Sequence, residues 1–368
     1  MAPVLIAAAS GRALAASARR AGFAPLVADF FGDRDTLAVA RAHVRLADGL
    51  ARGMDETLLD AFETLAAGAQ PRGVVWGTGF EDRSRLLAKI ARRWPLIGNT
   101  PETVAAIKDP LCLARICAER GIPHPETSRS RPADVAGWLR KRIGGAGGSH
   151  IRPADDHDDL NADVYFQRRV DGAPVSVSFL ADGRCALILG FSTQWSSPTL
   201  RRPFRYGGAM RPADVSPDIE NALARAVQAI IAAVPLVGLN SADFLVHRST
   251  FRLLEINPRP GATFDIFEPA DGSLFAFHVA ACAGHLPDRV PAFNGAMASA
   301  VVYADRDTRV PALDWPAWTA DRPHAGTLVN TGEPFCTVQA RAATAAEARR
   351  LVDQRQRAIL TLAEARAA

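Results

Sequence analysis

Lysine is nearly absent from this 368-residue chain: of 43 basic residues only Lys89, Lys108 and Lys141 are lysines. Arginine is used almost everywhere else, so a lysine that persists points to a position needing a compact ammonium. Long apolar runs are missing as well. None approaches the roughly 20 residues of a membrane-spanning helix, and no membrane partner is expected. The opening MAPVLIAAASGRALAASARRAG has too short an apolar run for a signal peptide and reads as a first strand and helix. Cysteine is sparse and odd in number, at 112, 117, 185, 282 and 336, without CxxC spacing. These read as reduced thiols, mostly buried, in a cytoplasmic protein. An excess of one charge is also lacking. Against 43 basic residues stand 39 acidic ones, and a net +4 is too mild and too evenly spread to argue for nucleic acid. It fits a site that collects small anions.

What is present alternates. PVLIAAA reads as a buried strand, GRALAASARRAG as a helix closed by Gly22, FAPLVADF as a second strand and RGVVWGTGFED as a strand ending in a glycine turn. That is the pattern of an open parallel sheet covered by helices. Such sheets bind ligands beyond the carboxyl ends of their strands, where Ser10-Gly11-Arg12 and Gly77-Thr78-Gly79-Phe80-Glu81 would lie. Neither turn is a GxGxxG fingerprint, so a dinucleotide site is rejected; tight turns without a ligand explain them equally well. GNTPETVAAIKDP then reads as a linker, followed by a helix ending at Gly121, a run of strands, and a Ser216-capped helix to about Val234. The stretch from about residue 291 mixes short strands with a final helix.

The chemistry concentrates in SADFLVHRSTFRLLEINPRPGAT. A three-residue loop of Arg248, Ser249 and Thr250 pairs His247 with Phe251 and brings Asp243 opposite Glu255. Facing carboxylates repel unless a cation lies between them, and Asn257 on the same strand face adds a neutral oxygen. Asp243, Glu255 and Asn257 therefore read as ligands of Mg²⁺, completed by phosphate and water. A hairpin whose polar face is merely wet is the alternative. Pro258 stops the strand, and Arg259 follows on a rigid loop. A second, weaker signal is WLRKRIGGAGGSHIRP, where Lys141 precedes Gly144, Gly145, Gly147 and Gly148. Glycine turns let backbone N–H groups approach phosphate oxygens, although a flexible loop is the commoner explanation.

Together these residues resemble the ATP-grasp superfamily of carboxylate–amine ligases, including the ATP-grasp proteins of methylotroph one-carbon cofactors and tyramine–glutamate ligases. The resemblance rests on Lys108 before a helix, Lys141 before the glycine loop, the strand YFQRRVDG and SADF…LLEINPRPGAT. It implies an α/β chain in three parts. A Rossmann-like pre-ATP-grasp domain would span 1–98, and the ATP-grasp domain 99–290, with a lid about 110–172 and a large lobe about 173–290. A small α+β segment would occupy 291–368, similar to the terminal domain of carboxylase-type members.

The resemblance also implies ATP with Mg²⁺, or Mn²⁺ in its place, a small-molecule carboxylate and an amine as substrates, and allows a homodimer. Lys108, Lys141 and the four glycines would hold the phosphates, while Gln167, Arg168 and Val170 would line the adenine. Arg259 would face the transferred phosphoryl group, with Arg211 or Arg205 adding positive charge. Ser10, Gly79 and Glu81 would meet substrate, Glu81 taking the ammonium of an amino-containing molecule from the side opposite Arg259. Two departures stand out: Arg168 occupies a hinge position that often carries glutamate, and Ser241 one that carries arginine in D-alanine ligases. The implied reaction is ADP-forming activation of an acid, with glutamate the nearest suggestion, and its joining to an amine. The competing readings are a nucleotide-binding regulatory protein and a biotin-carboxylase-like subunit.

Overall fold

A computed structural model describes residues 1–47, 53–157 and 163–367. The first sheet is parallel. Its strands β1 (Ala2–Ala7), β2 (Phe23–Asp29), β3 (Ala42–Arg45) and β4 (Val74–Trp76) lie in the order β3-β2-β1-β4. Val4 to Ala7 are fully buried, because helices cover both faces of a parallel sheet and leave no position for a polar side chain. The carboxyl ends of β1, β2 and β4 release the turns at Ser10, Phe30 and Gly77 toward the rest of the molecule.

Two short helices follow, Pro101–Lys108 and Pro110–Glu119. Thr100 and Asp109 each cap one, accepting from the N–H groups of Thr103 and Cys112, and each helix has proline at its first position. The break between them puts Lys108 at a helix carboxyl end, where a cation is favoured. A small sheet comes next: β5 (Thr127–Ser128), β6 (Trp138–Arg142), β7 (Arg152–Pro153) and β8 (Val164–Arg168), in the order β5-β8-β6-β7.

The largest sheet is antiparallel and has eight strands. From one edge it runs β13 (Thr250–Asn257), β12 (Val237–His247), β9 (Ala173–Asp182), β10 (Ala186–Ser196) and β11 (Tyr206–Arg211). It continues through β14 (Ala296–Tyr303), β18 (Pro334–Ala342) and β16 (Thr319–Ala320). A two-stranded pair, β15 (Thr308–Arg309) and β17 (Leu328–Val329), sits beside it. Apart from that pair, the strands after residue 291 extend the large sheet, with helix Ala345–Ala367 packed on β14 and β18. Helix Pro217–Ile231 buries Leu223, Val227 and Ile230 against Val177, Phe179 and Phe244.

The hairpin β12–β13 departs from its expected turn. The loop has two residues, Arg248 and Ser249, with Arg248 at φ 53°, and His247 pairs with Thr250. The register then shifts by one at Leu254, a β-bulge that restores Asp243 opposite Glu255. The shorter turn and the bulge cancel.

Asn99 ties the linker to this sheet. Its amide accepts from Val237 N–H at 2.8 Å and donates to Asn240 Oδ1 at 2.8 Å and to the Pro258 carbonyl at 2.9 Å, in a place only 1% exposed. Asn99→Ala strands those buried groups and should lower unfolding stability by about 2 kcal/mol or more. Urea denaturation of the two proteins measures it.

Candidate active site

The end of β13 gathers the hairpin's polar residues. Asn257 donates to Asp243 Oδ2 at 2.8 Å, and Gln194 on β10 donates to Asp243 Oδ1 at 3.1 Å. Lys108 stands over the same group: its Nζ is 3.2 Å from Glu255 Oε2, 3.2 Å from the Ile256 carbonyl and 3.3 Å from Asn257 Oδ1. An ammonium among three oxygens shows that this donor set accepts a cation. Burial would raise the Glu255 carboxyl, but Lys108 and Lys141 outweigh it and hold it down to about 2. Asp243 goes the other way, pushed up to about 6 by burial and by the neighbouring Glu255 charge. The crowding of charge thus pushes the two carboxyls in opposite directions. Among the described residues no three His, Cys, Asp or Glu side chains gather as a metal site, so a cation here would lean on Asn257 and ligand oxygens.

The small sheet covers this group. Lys141 on β6 donates to Gln167 Oε1 on β8 at 2.7 Å, and burial lowers its ammonium's pKa despite Glu255 and Asp243 nearby. Lys108, Gly144, Gly145, His150, Gln167 and Glu255 line a cleft of about 20 Å³, far smaller than a nucleotide. The glycines serve close approach, but chiefly to protein. A Cβ on Gly144, at φ 64°, would lie 2.6 Å from the Asp82 backbone nitrogen, and one on Gly148 1.9 Å from the Phe204 carbonyl. Gly147 has open space beside it.

Several expected positions are corrected by the structure. Arg168 is exposed, stacks over Trp138 and donates to the Ala136 carbonyl, because strand alternation turns it away from the face that carries Gln167. Val170 lies beyond β8 and outside the cleft's lining. Arg211 is held through Nε and Nη1 by the carbonyls of Ile266 and Gly295 and stacks on Phe293, while its buried Nη2 has no partner. Arg205 stacks on Tyr303 at 3.6 Å and donates to Ser197 and to the Gly332 carbonyl.

Glu81 does not stand across the site from Arg259; the two are in contact. Arg259 Nε and Nη2 reach Glu81 Oε1 at 2.8 and 2.7 Å, and Gly79 N–H donates to Oε2 at 2.8 Å. Burial would raise the Glu81 carboxyl, but Arg259 and Lys108 prevail and lower it. Lys89 makes a surface pair with Glu56, the role expected of a solvated charge.

Beyond Arg259 the chain borders a second, much larger space of about 1090 Å³. Pro260, Gly261, Gly77 and Thr78 form its near wall, and the turns after β1 and β2 meet residues 321–337 around it. Ser10 lies here, donating to Asp321 Oδ1 at 3.0 Å. Arg12 joins Asp265 through two bonds of 2.6 and 2.5 Å and Asp321 at 3.1 Å. Asp321 holds a left-handed φ of 54°, a strained state for a residue other than glycine. Asp33 is 3% exposed, and its Oδ2 has no hydrogen-bond partner. Sequence reasoning did not single out Asp33, Asp321 or Gln194, and met Arg12 without seeing its two carboxylate partners. Only Arg12 carried a signal, its place in the turn after the first strand.

A parallel α/β unit, a small sheet folded over the end of an antiparallel one, and two lysines between them define the ATP-grasp fold. Residues 107–263 match the model of the ATP-grasp domain. The chain is 21% identical over 212 residues to the carbamoyl phosphate synthase large chain of Myxococcus xanthus, a match covering 51% of this chain and 19% of that protein. It therefore spans about a fifth of that relative. Among solved structures, the biotin carboxylase domain of 2-oxoglutarate carboxylase from Hydrogenobacter thermophilus, solved with MgADP and bicarbonate, superposes with a TM-score of 0.72 at 12% identity, over 95% of this chain and 89% of that one. N5-carboxyaminoimidazole ribonucleotide synthetase from Thermotoga maritima gives 0.69 at 14% identity, over 97% and 98%. Among the described residues no helix is long and apolar enough to cross a membrane.

Asp33 yields a pH prediction. Burial, with Asp321, Asp29 and Asp35 close by, pushes its carboxyl up to about 8 from the ordinary value of 3.8, against the pull of Arg12. Between those values the folded protein holds a proton that the unfolded chain has lost, so this residue's contribution to stability falls as pH rises toward 8. Asp33→Asn removes that slope. Melting temperatures from pH 5 to 9 should show the variant gaining on the parent until about pH 8 and level thereafter.

Proposed function

We propose that this protein is an ADP-forming ligase that activates a carboxylate as an acyl phosphate and joins it to an amine. The observation that carries the reading is the Lys108 ammonium seated on Glu255, Asn257 and the Ile256 carbonyl, with Lys141 and Arg259 nearby. Three cations converge on a carboxylate pair under a covering sheet, which is an arrangement for polyphosphate and a divalent cation. The cleft of about 20 Å³ requires the small sheet to lift before a nucleotide enters.

In this reading Asp243, Glu255 and Asn257 hold Mg²⁺, Lys108 and Lys141 hold phosphate oxygens, and Gln167 borders the base. Bound MgATP supplies the phosphoryl group. An oxygen of the acid bonds to the γ-phosphorus as the bond to ADP breaks. The amine nitrogen then bonds to the acyl carbon, phosphate leaves with the electron pair, and the nitrogen gives up a proton. The side chains named here contribute position and charge neutralisation, and little acid–base work is asked of them. Arg259, already balanced by Glu81, is a fixed positive wall. A biotin-carboxylase-like activity shares the first step and differs in taking bicarbonate as the acid.

The test is ADP release with MgATP across a panel of amino acids and other carboxylates, with and without amines, and with bicarbonate alone. Acid-dependent release that amines stimulate is expected; release driven by bicarbonate alone would replace this reading with the carboxylase one. Glu255→Gln should lower turnover by about 100-fold or more. Lys141→Ala should weaken ATP binding and phosphoryl transfer, whereas Lys89→Ala should leave both near the parent's. Equal losses at the two lysines would remove the assignment of Lys141.

A further inference from the structure

Each cation assigned so far to the phosphate site already has a partner. Lys108 is seated on Glu255 and Asn257, and Lys141 donates to Gln167. Arg259 spends Nε and Nη2 on Glu81, and its Nη1 reaches the adjacent Pro260 carbonyl at 3.5 Å. Arg211 and Arg205, the other arginines expected here, are braced on main-chain carbonyls and aromatic rings. A transferring phosphoryl group spreads its charge over three outer oxygens, which call for a cation of their own.

Arg142 is free to supply it. It ends β6, borders the cleft and is exposed, and among the described residues its guanidinium has no hydrogen bond or ion pair. Its charge is felt at His150, whose ring lies over Gly145 of the glycine loop. On the cleft's lining Lys108 and Glu255 compensate each other, and burial disfavours charge on His124 and His150. Arg142 is left unmatched. The ladder of the small sheet sets its place, since Leu139 pairs with Gln167, Lys141 with Tyr165 and Arg142 with Val164. With Gln167 at the base, Arg142 lies three residues further along β6, about 10 Å at strand spacing. The glycine loop that follows packs Gly144 on Asp82, next to the Glu81 that holds Arg259. Both relations put Arg142 at the outer end of a bound polyphosphate.

We infer that Arg142 is a further catalytic residue, which grips the outermost phosphate of the nucleotide and stays with the phosphoryl group during its transfer. The inference rests on the ligase reading. A guanidinium suits the task, because its fork matches two phosphate oxygens and it keeps its charge at any working pH. As the last residue of β6 it moves with the small sheet. It therefore leaves the site when that sheet lifts and returns when the sheet closes on the nucleotide.

The experiment is calorimetric titration of the full chain with MgADP and with the magnesium complex of β,γ-imido ATP, which carries the outer phosphate and resists transfer. Arg142→Met should weaken the analogue at least tenfold and change ADP less than threefold. Arg142→Lys keeps the charge without the fork and should fall between parent and Arg142→Met. Arg131→Met removes a guanidinium from the covering segment, where it bonds the Asp156 carbonyl, and should leave both affinities alone. Arg142→Met should also lower kcat for ADP release at saturating MgATP at least tenfold. Equal weakening of ADP and the analogue, no weakening of either, an undiminished kcat, or the same losses in Arg131→Met each overturns the proposal and leaves the ligase reading standing. A parent protein that binds neither nucleotide removes both. Selective loss of the analogue in Arg142→Met, without acid-dependent ADP release by the parent, removes the ligase reading and keeps the phosphate contact.

Discussion

The contact between Arg259 and Glu81 is the constraint on which the site's arrangement depends. Both residues are buried, 7% and 3% exposed, and an isolated charge in such a place would cost several kcal/mol. The cost is met only because both Glu81 oxygens are used, one by the guanidinium and one by Gly79 N–H. Glu81 follows β4 of the parallel unit, and Arg259 follows β13 of the large sheet, 178 residues later. Neither can move without exposing the other's charge unpaired, so the end of the metal-type hairpin is fixed against the glycine turn. That one contact also divides the interior. On one side lies the lysine-lined cleft, and on the other the large cavity walled by Gly77, Thr78, Pro260 and Gly261.

Much of the fold was legible because its signals are local. The buried strands of the parallel unit are continuous apolar runs, and the Thr100 and Asp109 caps with following prolines mark two helix starts. The hairpin was legible for a stronger reason: Asp and Glu at this spacing must be reconciled with a shared face, and register follows from that demand. The expected turn was one residue too long and the bulge at Leu254 unforeseen, yet Asp243 still faces Glu255. A bulge leaves no mark in composition.

What stayed hidden depends on distance along the chain. Asp321 lies 309 residues from Arg12, and nothing near either announces the other. Glu81 and Arg259 were both noticed, but as two free charges facing a substrate, because sequence shows a charge and not what neutralises it. Arg211 and Arg205 failed for a related reason. An arginine in a loop beside glycines looks available, whereas these two donate to main-chain carbonyls and stack on Phe293 and Tyr303. In a chain that uses arginine so freely, guanidinium groups also brace loops, and their number is poor evidence for an anion site. The scarce lysines divide differently: Lys108 is buried in the cleft wall, Lys141 is buried behind Gln167, and Lys89 is half exposed in a surface pair.

The two chambers differ in the charges that line them. In the cleft, Lys108 and Lys141 depress Glu255 to about 2 while Asp243, deprived of comparable help, rises to about 6. Added positive charge there would favour the ionised form of both carboxyls. In the cavity, burial and the neighbouring Asp321, Asp29 and Asp35 push the Asp33 carboxyl up to about 8 against the pull of Arg12. In the proposed reaction a phosphorylated acid is anionic and an approaching amine is cationic until it gives up its proton, so the two call for different surroundings. The Arg259–Glu81 contact, followed directly by Pro260 and Gly261 in the cavity wall, stands between the cleft at Lys108 and the acid-rich cavity.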